Sequence, residues 1–147
     1  ISKRYKNMAV CTGYELALSK RLKQAADAWL NNPRVPREAS GTSGMTAAMN
    51  GAVNFSTFDG WICEFANHGN NSFIVPPIDY TSVHVTEQDQ YDLEQVYEVL
   101  EKQILPLYYD NYSVWRQITQ NGMRDVRFQF DSNRMAAEYY NLLYKRK

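Results

Sequence analysis

The sequence is poor in the residue types that build disulfide frameworks and metal sites. It has only two cysteines and two histidines among 147 residues. Cys11 and Cys63 lie far apart and have neither the spacing of a zinc site nor that of a CxxC motif. We therefore expect no metal site. The two thiols are expected to be buried and reduced, as is usual in cytosolic proteins.

Long apolar runs and an excess of either charge are also missing. No segment has the length of apolar sequence that spans a membrane, and residues 1–7 lack the apolar stretch of a signal peptide. Sixteen basic and sixteen acidic side chains give a formal net charge of zero, which gives no electrostatic reason to expect nucleic acid or an anionic membrane as a partner. We expect a cytoplasmic protein with neither partner. Because residue 1 is isoleucine, we also expect the chain to begin inside a longer protein.

Apolar residues make up 44% of the chain, which is enough to build the core of one domain or of part of one. Short apolar segments at 8–11, 27–30 and 53–56 are predicted to be strands. Helices are predicted between them at 15–24 and 45–50. Strands that alternate with helices are typical of an α/β fold with an open parallel sheet.

From about residue 81 the apolar residues recur at helical spacing. A long helix is predicted from about Glu87, and Pro106 is expected to bend or end it. Another helix is predicted from Ser113, and Gly122 is expected to end it.

The last predicted helix begins with Asp131 or Ser132 as its N-cap. Its apolar side chains are predicted to form one buried stripe, made of Met135, Tyr139, Leu142 and Leu143. We therefore divide the chain into residues 1–80, an α/β part that carries the loop described next, and residues 81–147, a helical segment that packs on it.

The chemistry is concentrated in a glycine-rich turn from Glu38 to Met45, with the sequence EASGTSGM. Pro33 and Pro36 are expected to keep the backbone extended up to this turn, and a helix follows it. N–H groups at a helix start point at one spot, where the helix dipole favours an anion. The glycines let a ligand approach the backbone, and Glu38 can accept hydrogen bonds from sugar hydroxyls. These residues indicate either a phosphate or sugar site or an ordinary capped helix after a flexible loop.

A longer stretch around this turn, LNNPRVPREASGTSGM from Leu30 to Met45, resembles the signature of the glycogen and α-glucan phosphorylases. The similarity continues through AAMNG at 47–51 and DGW at 59–61. Residues 128–135 also resemble the C-terminal end of that family. The resemblance therefore extends over most of the chain and is strongest from Asp27 to Trp61.

The resemblance implies a fold and an activity. Members of the family have two facing Rossmann-like lobes, the GT-B arrangement, with the active site between them. This chain resembles the end of the second lobe followed by the C-terminal helices. The implied activity is retaining transfer of glucosyl units to or from an α-1,4-glucan. Because that cleft needs groups from both lobes, the isolated chain is predicted to be inactive.

The resemblance also assigns roles to residues of the turn. Glu38 is the implied catalytic residue, and it holds the transferred glucosyl unit together with Ser40 and Gly41. The implied anion site, which binds the phosphate of pyridoxal phosphate in the family, consists of Thr42, Ser43 and Gly44.

One position departs from the family pattern. Phosphorylases carry the lysine that binds pyridoxal phosphate directly after the methionine that matches Met45, and here that residue is Thr46. Threonine has no amine, so it cannot form the covalent link. Three alternatives follow: a phosphorylase that uses glucose 1-phosphate or phosphate, a glycogen synthase-like enzyme that uses nucleotide-glucose, and a catalytically degenerate glucan-binding homologue. The sequence is compatible with an oligomer.

Of three further residues, two, His68 and Trp61, have two interpretations each. His68 is expected to be a solvent-facing loop residue, although a ligand contact is the alternative, and His84 is expected to be structural. Trp61 either stacks on a sugar or anchors its loop in the core.

Overall fold

The computed structural model describes residues 5–37 and 41–145. These residues form an α/β fold, as predicted, with a small parallel sheet and helices packed on it. The first half of the chain contains the following elements in order: α1 (Leu16–Ala25), β1 (Ala28–Asn31), α2 (Thr42–Met49), β2 (Val53–Thr57), α3 (Ile62–Phe65) and β3 (Ser72–Val75).

The second half is helical, as predicted. Its elements are α4 (Val85–Val99), a π-helical turn (Leu100–Ile104), α5 (Leu105–Asp110), α6 (Tyr112–Gln129), α7 (Ser132–Glu138) and a second π-helical turn (Tyr139–Tyr144). Both α4 and α6 contribute side chains to the core beneath the sheet. The division of the chain at residue 80 stays a prediction.

The sheet of the described residues has the strand order β1–β2–β3, and both pairs are parallel. Leu30 pairs with Phe55, and Phe55 pairs with Phe73. Every residue of β2 and β3 is buried, as is usual where helices cover both faces of a parallel sheet. The sequence did not indicate β3, because a run of only four residues has no readable periodicity.

Two clusters of buried side chains cover the opposite faces of the sheet. One cluster joins β2 and β3 to α4, the first π-helical turn and α6, and includes Phe55, Phe73 and Trp115. The other joins α2, α3, β3 and α6, and includes Trp61, Phe65 and Val126. Helix α6 is long enough to contribute to both clusters, because it continues through Gly122 to Gln129.

The prediction that Gly122 ends a helix is therefore wrong. Gly122 is buried in the middle of α6. A β-carbon placed on it would lie 3.1 Å from the carbonyl oxygen of Asn71. Glycine here allows α6 to pack against the loop before β3, which outweighs its low helix propensity.

Pro106 does not end its helix either. It lies in the first turn of α5, directly after the π-helical turn Leu100–Ile104. Proline lacks an N–H and its ring clashes with the carbonyl four residues earlier, and the wider π-helical turn accommodates both effects. The chain therefore stays helical from Val85 to Asp110.

The predicted strand at 8–11 is wrong. These described residues have no regular secondary structure, and Met8 and Val10 are 48% and 63% exposed. An apolar run becomes a strand only where a neighbouring strand pairs with it, and in the described sheet the outer strand on that side is β1. The prediction of buried thiols is also wrong. Cys11 lies in this exposed segment, and Cys63 is exposed on α3.

The last helix begins as predicted but is not buried. The Asp131 carboxylate accepts hydrogen bonds from the N–H groups of Asn133 and Arg134 at 2.7 and 3.4 Å, which confirms the N-cap. The predicted buried stripe is exposed: Met135, Tyr139, Leu142 and Leu143 are 52%, 54%, 64% and 60% accessible. Amphipathic spacing indicates which face is apolar, but burial also requires a partner for that face.

Candidate active site

The start of α2 and the end of β1 meet at one groove of about 440 Å³. Its lining residues come from these two places in the chain: Leu30, Asn31, Asn32 and Pro33 from the β1 end, and Gly41, Thr42 and Ser43 from the α2 start. Ligand sites of open α/β sheets lie at the carboxyl ends of the parallel strands. The groove is at that edge.

The start of α2 has the geometry of an anion site. Gly41 is the N-cap and is extended, with φ −116° and ψ −165°. Thr42, Ser43 and Gly44 form the first turn. Thr42 and Ser43 are exposed, and Gly44 is buried. The first N–H groups of a helix have no intrahelical acceptors, and the dipole places partial positive charge there. No acidic residue lies in this first turn, so nothing there repels an anion.

The loop that precedes the site is held by three contacts to other elements. Thr57 Oγ1, at the end of β2, donates to the carbonyl oxygen of Pro33 at 3.0 Å. From α4, Gln88 Nε2 donates to the carbonyl oxygen of Val35 at 2.7 Å. The guanidinium of Arg34 forms two hydrogen bonds of 2.7 and 2.5 Å with Asp89. The loop is thus attached to the sheet and to the helical second half.

The prediction that Pro33 and Pro36 keep this loop extended is wrong. Residues 35–37 form a turn closed by the Arg37 N–H, which donates to the carbonyl oxygen of Arg34 at 2.7 Å. The two prolines therefore do not keep the backbone extended up to the glycine-rich segment. The hydrogen bond from Gln88 reaches the carbonyl of Val35 and thereby holds the segment that turns.

The structure brings together part of the predicted site. Gly41, Thr42 and Ser43 lie side by side at the groove, and Gly44 lies behind them. Glu38 and Ser40 lie outside the described residues. Their roles therefore stay predictions.

Thr46 faces a second groove, of about 530 Å³, between α1 and α2. Its hydroxyl donates to the carbonyl oxygen of Thr42 at 2.9 Å, one turn earlier in the same helix. Lys20 and Lys23 of α1 line this groove together with Thr42, Ser43 and Thr46. The sequence analysis missed these two lysines, because their proximity to α2 depends on how α1 packs.

Trp61 is a core residue and is only 5% exposed. Its ring lies 4.8 Å from that of Phe65 and 5.2 Å from that of Phe130, between ring centroids. The loop-anchor interpretation is therefore confirmed, and the indole is not free to stack on a sugar.

Both histidines have structural contacts. His68 Nδ1 accepts a hydrogen bond of 3.1 Å from the N–H of Ile74, and Nε2 lies 2.8 Å from Gln103 Oε1. With Nδ1 as acceptor, Nε2 carries the proton and donates to Gln103. His84 is the N-cap of α4 and accepts from the N–H of Thr86. The residues described contain no cluster of three potential metal ligands, and among them no helix is long and apolar enough to cross a membrane.

The comparison with known families decides what kind of protein carries this site. The sequence model of the family described as carbohydrate phosphorylase matches residues 3–141. The chain belongs to the carbohydrate phosphorylase family. The match covers both the glycine-rich segment and the helical second half, which agrees with the resemblance found in the sequence.

Several relatives match nearly the whole chain. A maltodextrin phosphorylase of Thermococcus litoralis is 35% identical over 144 residues, which are 97% of this chain and 17% of that protein. An uncharacterised protein of Methanocaldococcus jannaschii is 41% identical, covering 95% of this chain and 25% of that protein. A glycogen phosphorylase of Aquifex aeolicus is 33% identical, covering 95% and 20%. The chain thus spans about a fifth of the length of these relatives. No solved structure gives a significant match.

Proposed function

We propose that this chain supplies the glucosyl-binding and anion-binding part of the active site of an α-glucan phosphorylase-like glucosyltransferase. The observation that carries the proposal is the start of α2, which opens onto the groove at the carboxyl end of β1. This is where an α/β sheet binds ligands, and it lies within the segment that matches the carbohydrate phosphorylase family. The proposed reaction is retaining transfer of glucose to or from an α-1,4-glucan.

Six residues of the glycine-rich segment have a proposed role. Glu38 is the catalytic residue and binds hydroxyls of the transferred glucosyl unit. Ser40 and Gly41 bind the same unit through their backbone. Thr42 and Ser43 present N–H groups and hydroxyls to a phosphate, either that of the glucosyl donor or that of pyridoxal phosphate. Gly44 lets the helix lie close to the sheet. All of these contacts act by positioning and by electrostatic stabilisation.

Pyridoxal phosphate fits this site only in part. Its phosphate suits the start of α2, where Thr42 and Ser43 are exposed. Its aldehyde finds no amine at Thr46, whose hydroxyl is already bonded to the carbonyl oxygen of Thr42. The chain therefore supplies no covalent anchor for the cofactor at residue 46. If it binds, it binds without a covalent link at this position.

The test is a donor comparison with the full-length protein. The protein is incubated with a short maltodextrin and either glucose 1-phosphate or a set of nucleotide-glucose donors, and glucan elongation is followed with the release of phosphate or nucleotide. We expect elongation with glucose 1-phosphate and equimolar release of inorganic phosphate. Glu38→Ala is the matched negative control. Elongation with nucleotide-glucose alone contradicts the proposal.

Thr46 favours a second candidate function. A glycogen synthase-like enzyme needs no cofactor lysine, and the phosphates of a nucleotide-glucose suit the same helix start. Elongation with nucleotide-glucose and none with glucose 1-phosphate identifies this candidate. Maltodextrin binding without turnover of any donor identifies the third alternative, a degenerate glucan-binding homologue.

A further inference from the structure

A buried glycine lies in the first turn of α2, directly behind the residues that line the groove. Gly44 is buried, and its carbonyl oxygen accepts a hydrogen bond of 3.0 Å from Asn54 Nδ2. Asn54 lies on β2 and is 1% exposed. A side chain of the sheet is thus bonded to the same helical turn that presents Thr42 and Ser43 to the groove.

Trp61 packs against the same glycine. A β-carbon placed on Gly44 would lie 2.7 Å from Asn54 Oδ1, 2.9 Å from Trp61 Cζ2 and 3.0 Å from Trp61 Nε1. Carbon atoms in good contact are separated by about 3.5–4.0 Å. Only glycine therefore fits here, and the helix lies closer to the sheet and to the indole than any side chain would allow. The aromatic rings of Phe65 and Phe130 in turn hold the indole.

The contact of Asn54 and Trp61 with Gly44 buries polar atoms that destabilise the fold more than apolar atoms would. Within the part of the chain that the structure describes, Asn54 Oδ1 and Trp61 Nε1 are buried and have no hydrogen-bond partner. Unpaired buried polar atoms are destabilising, and an apolar side chain of similar volume at residue 54 would avoid that cost. What asparagine adds is one directed bond, from Nδ2 to Gly44. Such a bond fixes the position of the turn, which apolar packing alone does less well.

We infer that Asn54 and Trp61 are positioning residues for the anion end of the site: they fix the first turn of α2 against the sheet, so that Thr42 and Ser43 stay directed at the groove. The inference rests on the proposed function. Neither residue lines the groove, and both are buried. Their effect is preorganisation, because donors that are already in place need no rearrangement when the anion binds.

The experiment uses the full-length protein and two variants. Asn54→Leu removes the donor to Gly44 and keeps the branching and the number of heavy atoms of the side chain, and Trp61→Phe keeps an aromatic ring against Phe65 and Phe130 but removes the larger indole. Ser56→Ala is the matched control. Ser56 is also buried and lies two residues further along β2, but its hydroxyl donates only to the neighbouring carbonyl of Thr57.

The readouts separate positioning from general destabilisation. Affinity for inorganic phosphate is measured by isothermal titration calorimetry, and KM is measured separately for glucose 1-phosphate and for maltodextrin. We expect Asn54→Leu to weaken phosphate binding and to raise KM for glucose 1-phosphate by about tenfold, as for loss of one hydrogen bond. KM for maltodextrin should stay unchanged. Trp61→Phe should act in the same direction, and Ser56→Ala should behave as the parent.

Three outcomes overturn the inference. If the parent binds phosphate and both variants bind it equally well, the inference alone is wrong. If kcat falls and both KM values stay constant, the residues serve only stability, which also overturns it. A parent that neither binds phosphate nor uses glucose 1-phosphate overturns the proposed function, and the inference falls with it. A variant that does not fold is replaced by the other one, since either is sufficient.

Discussion

Gln88 Nε2 donates a hydrogen bond of 2.7 Å to the carbonyl oxygen of Val35, across 53 residues of sequence. Gln88 is 5% exposed, so the bond is shielded from water. It joins α4, in the helical second half, to the loop that leads into the glycine-rich segment. The second half of the chain therefore takes part in holding the proposed site.

This contact predicts an effect of Gln88 on catalysis. Gln88→Met keeps the length of the side chain and removes the donor to Val35. We expect kcat/KM of the full-length enzyme to fall by about tenfold, because the loop before Glu38 loses one of its three anchors. The control is Gln90→Met on the same helix, since Gln90 is exposed and bonds only to Glu94 among the described residues. Equal activity of the two variants contradicts the prediction.

Glu38 is predicted to contribute directly to transition-state stabilisation. Glu38→Ala should cost the full-length enzyme about 2–4 kcal/mol of transition-state stabilisation, the range for loss of one well-placed polar contact. The loss is measured as a fall in kcat/KM. Glu64→Ala is the control, because Glu64 is exposed on α3. The assignment is wrong if kcat/KM of Glu38→Ala stays within a few fold of the parent.

The absence of an amine at Thr46 predicts that the protein purifies without a covalently bound cofactor. The purified protein should show no Schiff-base absorbance. Borohydride reduction followed by peptide mass analysis should find no pyridoxyl-lysine. Thr46→Lys restores an amine at an exposed position of α2 and should gain a pyridoxyl group at residue 46. A pyridoxyl group on Lys20 or Lys23 of the parent, the lysines that line the groove beside Thr46, would falsify the prediction.

The isolated chain is predicted to have no glucosyl transfer activity. A two-lobe site needs groups from both lobes to hold donor and acceptor in line, and the chain spans 17% to 25% of the length of the relatives named above. The purified chain is assayed with maltodextrin and the same donors as the full-length protein, which serves as the positive control. Turnover by the chain alone contradicts the prediction.

The N-cap of α7 predicts a loss of stability in acid. Hydrogen bonds from the backbone N–H groups of Asn133 and Arg134 lower the pKa of Asp131 below its usual value. A carboxyl group whose pKa is lower in the folded state stabilises the fold above its unfolded-state pKa of about 4, and this stabilisation is lost as the pH falls through the folded-state pKa.

Asp131→Asn is the matched variant for this effect, because asparagine also caps helices but does not titrate. We expect the melting temperature of the parent to exceed that of Asp131→Asn near pH 7, and the difference to shrink as the pH falls through the lowered folded-state pKa of Asp131. A difference that does not change with pH shows that the charge of Asp131 has no part in the cap.

Much of the first half could be predicted from local signals. The helix at 15–24 and the strands at 27–30 and 53–56 are confirmed within one or two residues. The predicted helix at 45–50 in fact begins earlier, at Thr42, so Thr42, Ser43 and Gly44, predicted to lie in a turn, form its first turn. That shift strengthens the anion-site interpretation, because Thr42 and Ser43 then lie at the helix start itself.

The family, the α/β class, the glycine-rich segment and the Asp131 cap could all be predicted from the amino-acid sequence, because each is indicated by local residue patterns. Tertiary structure alone decided that β3 completes the sheet and that Gln88 holds Val35. It also decided that Asn54 and Trp61 enclose Gly44, and that the apolar stripe of α7 and the following π-helical turn is exposed. Burial and long-range hydrogen bonds depend on which elements meet, and no periodicity in a single segment encodes its partner.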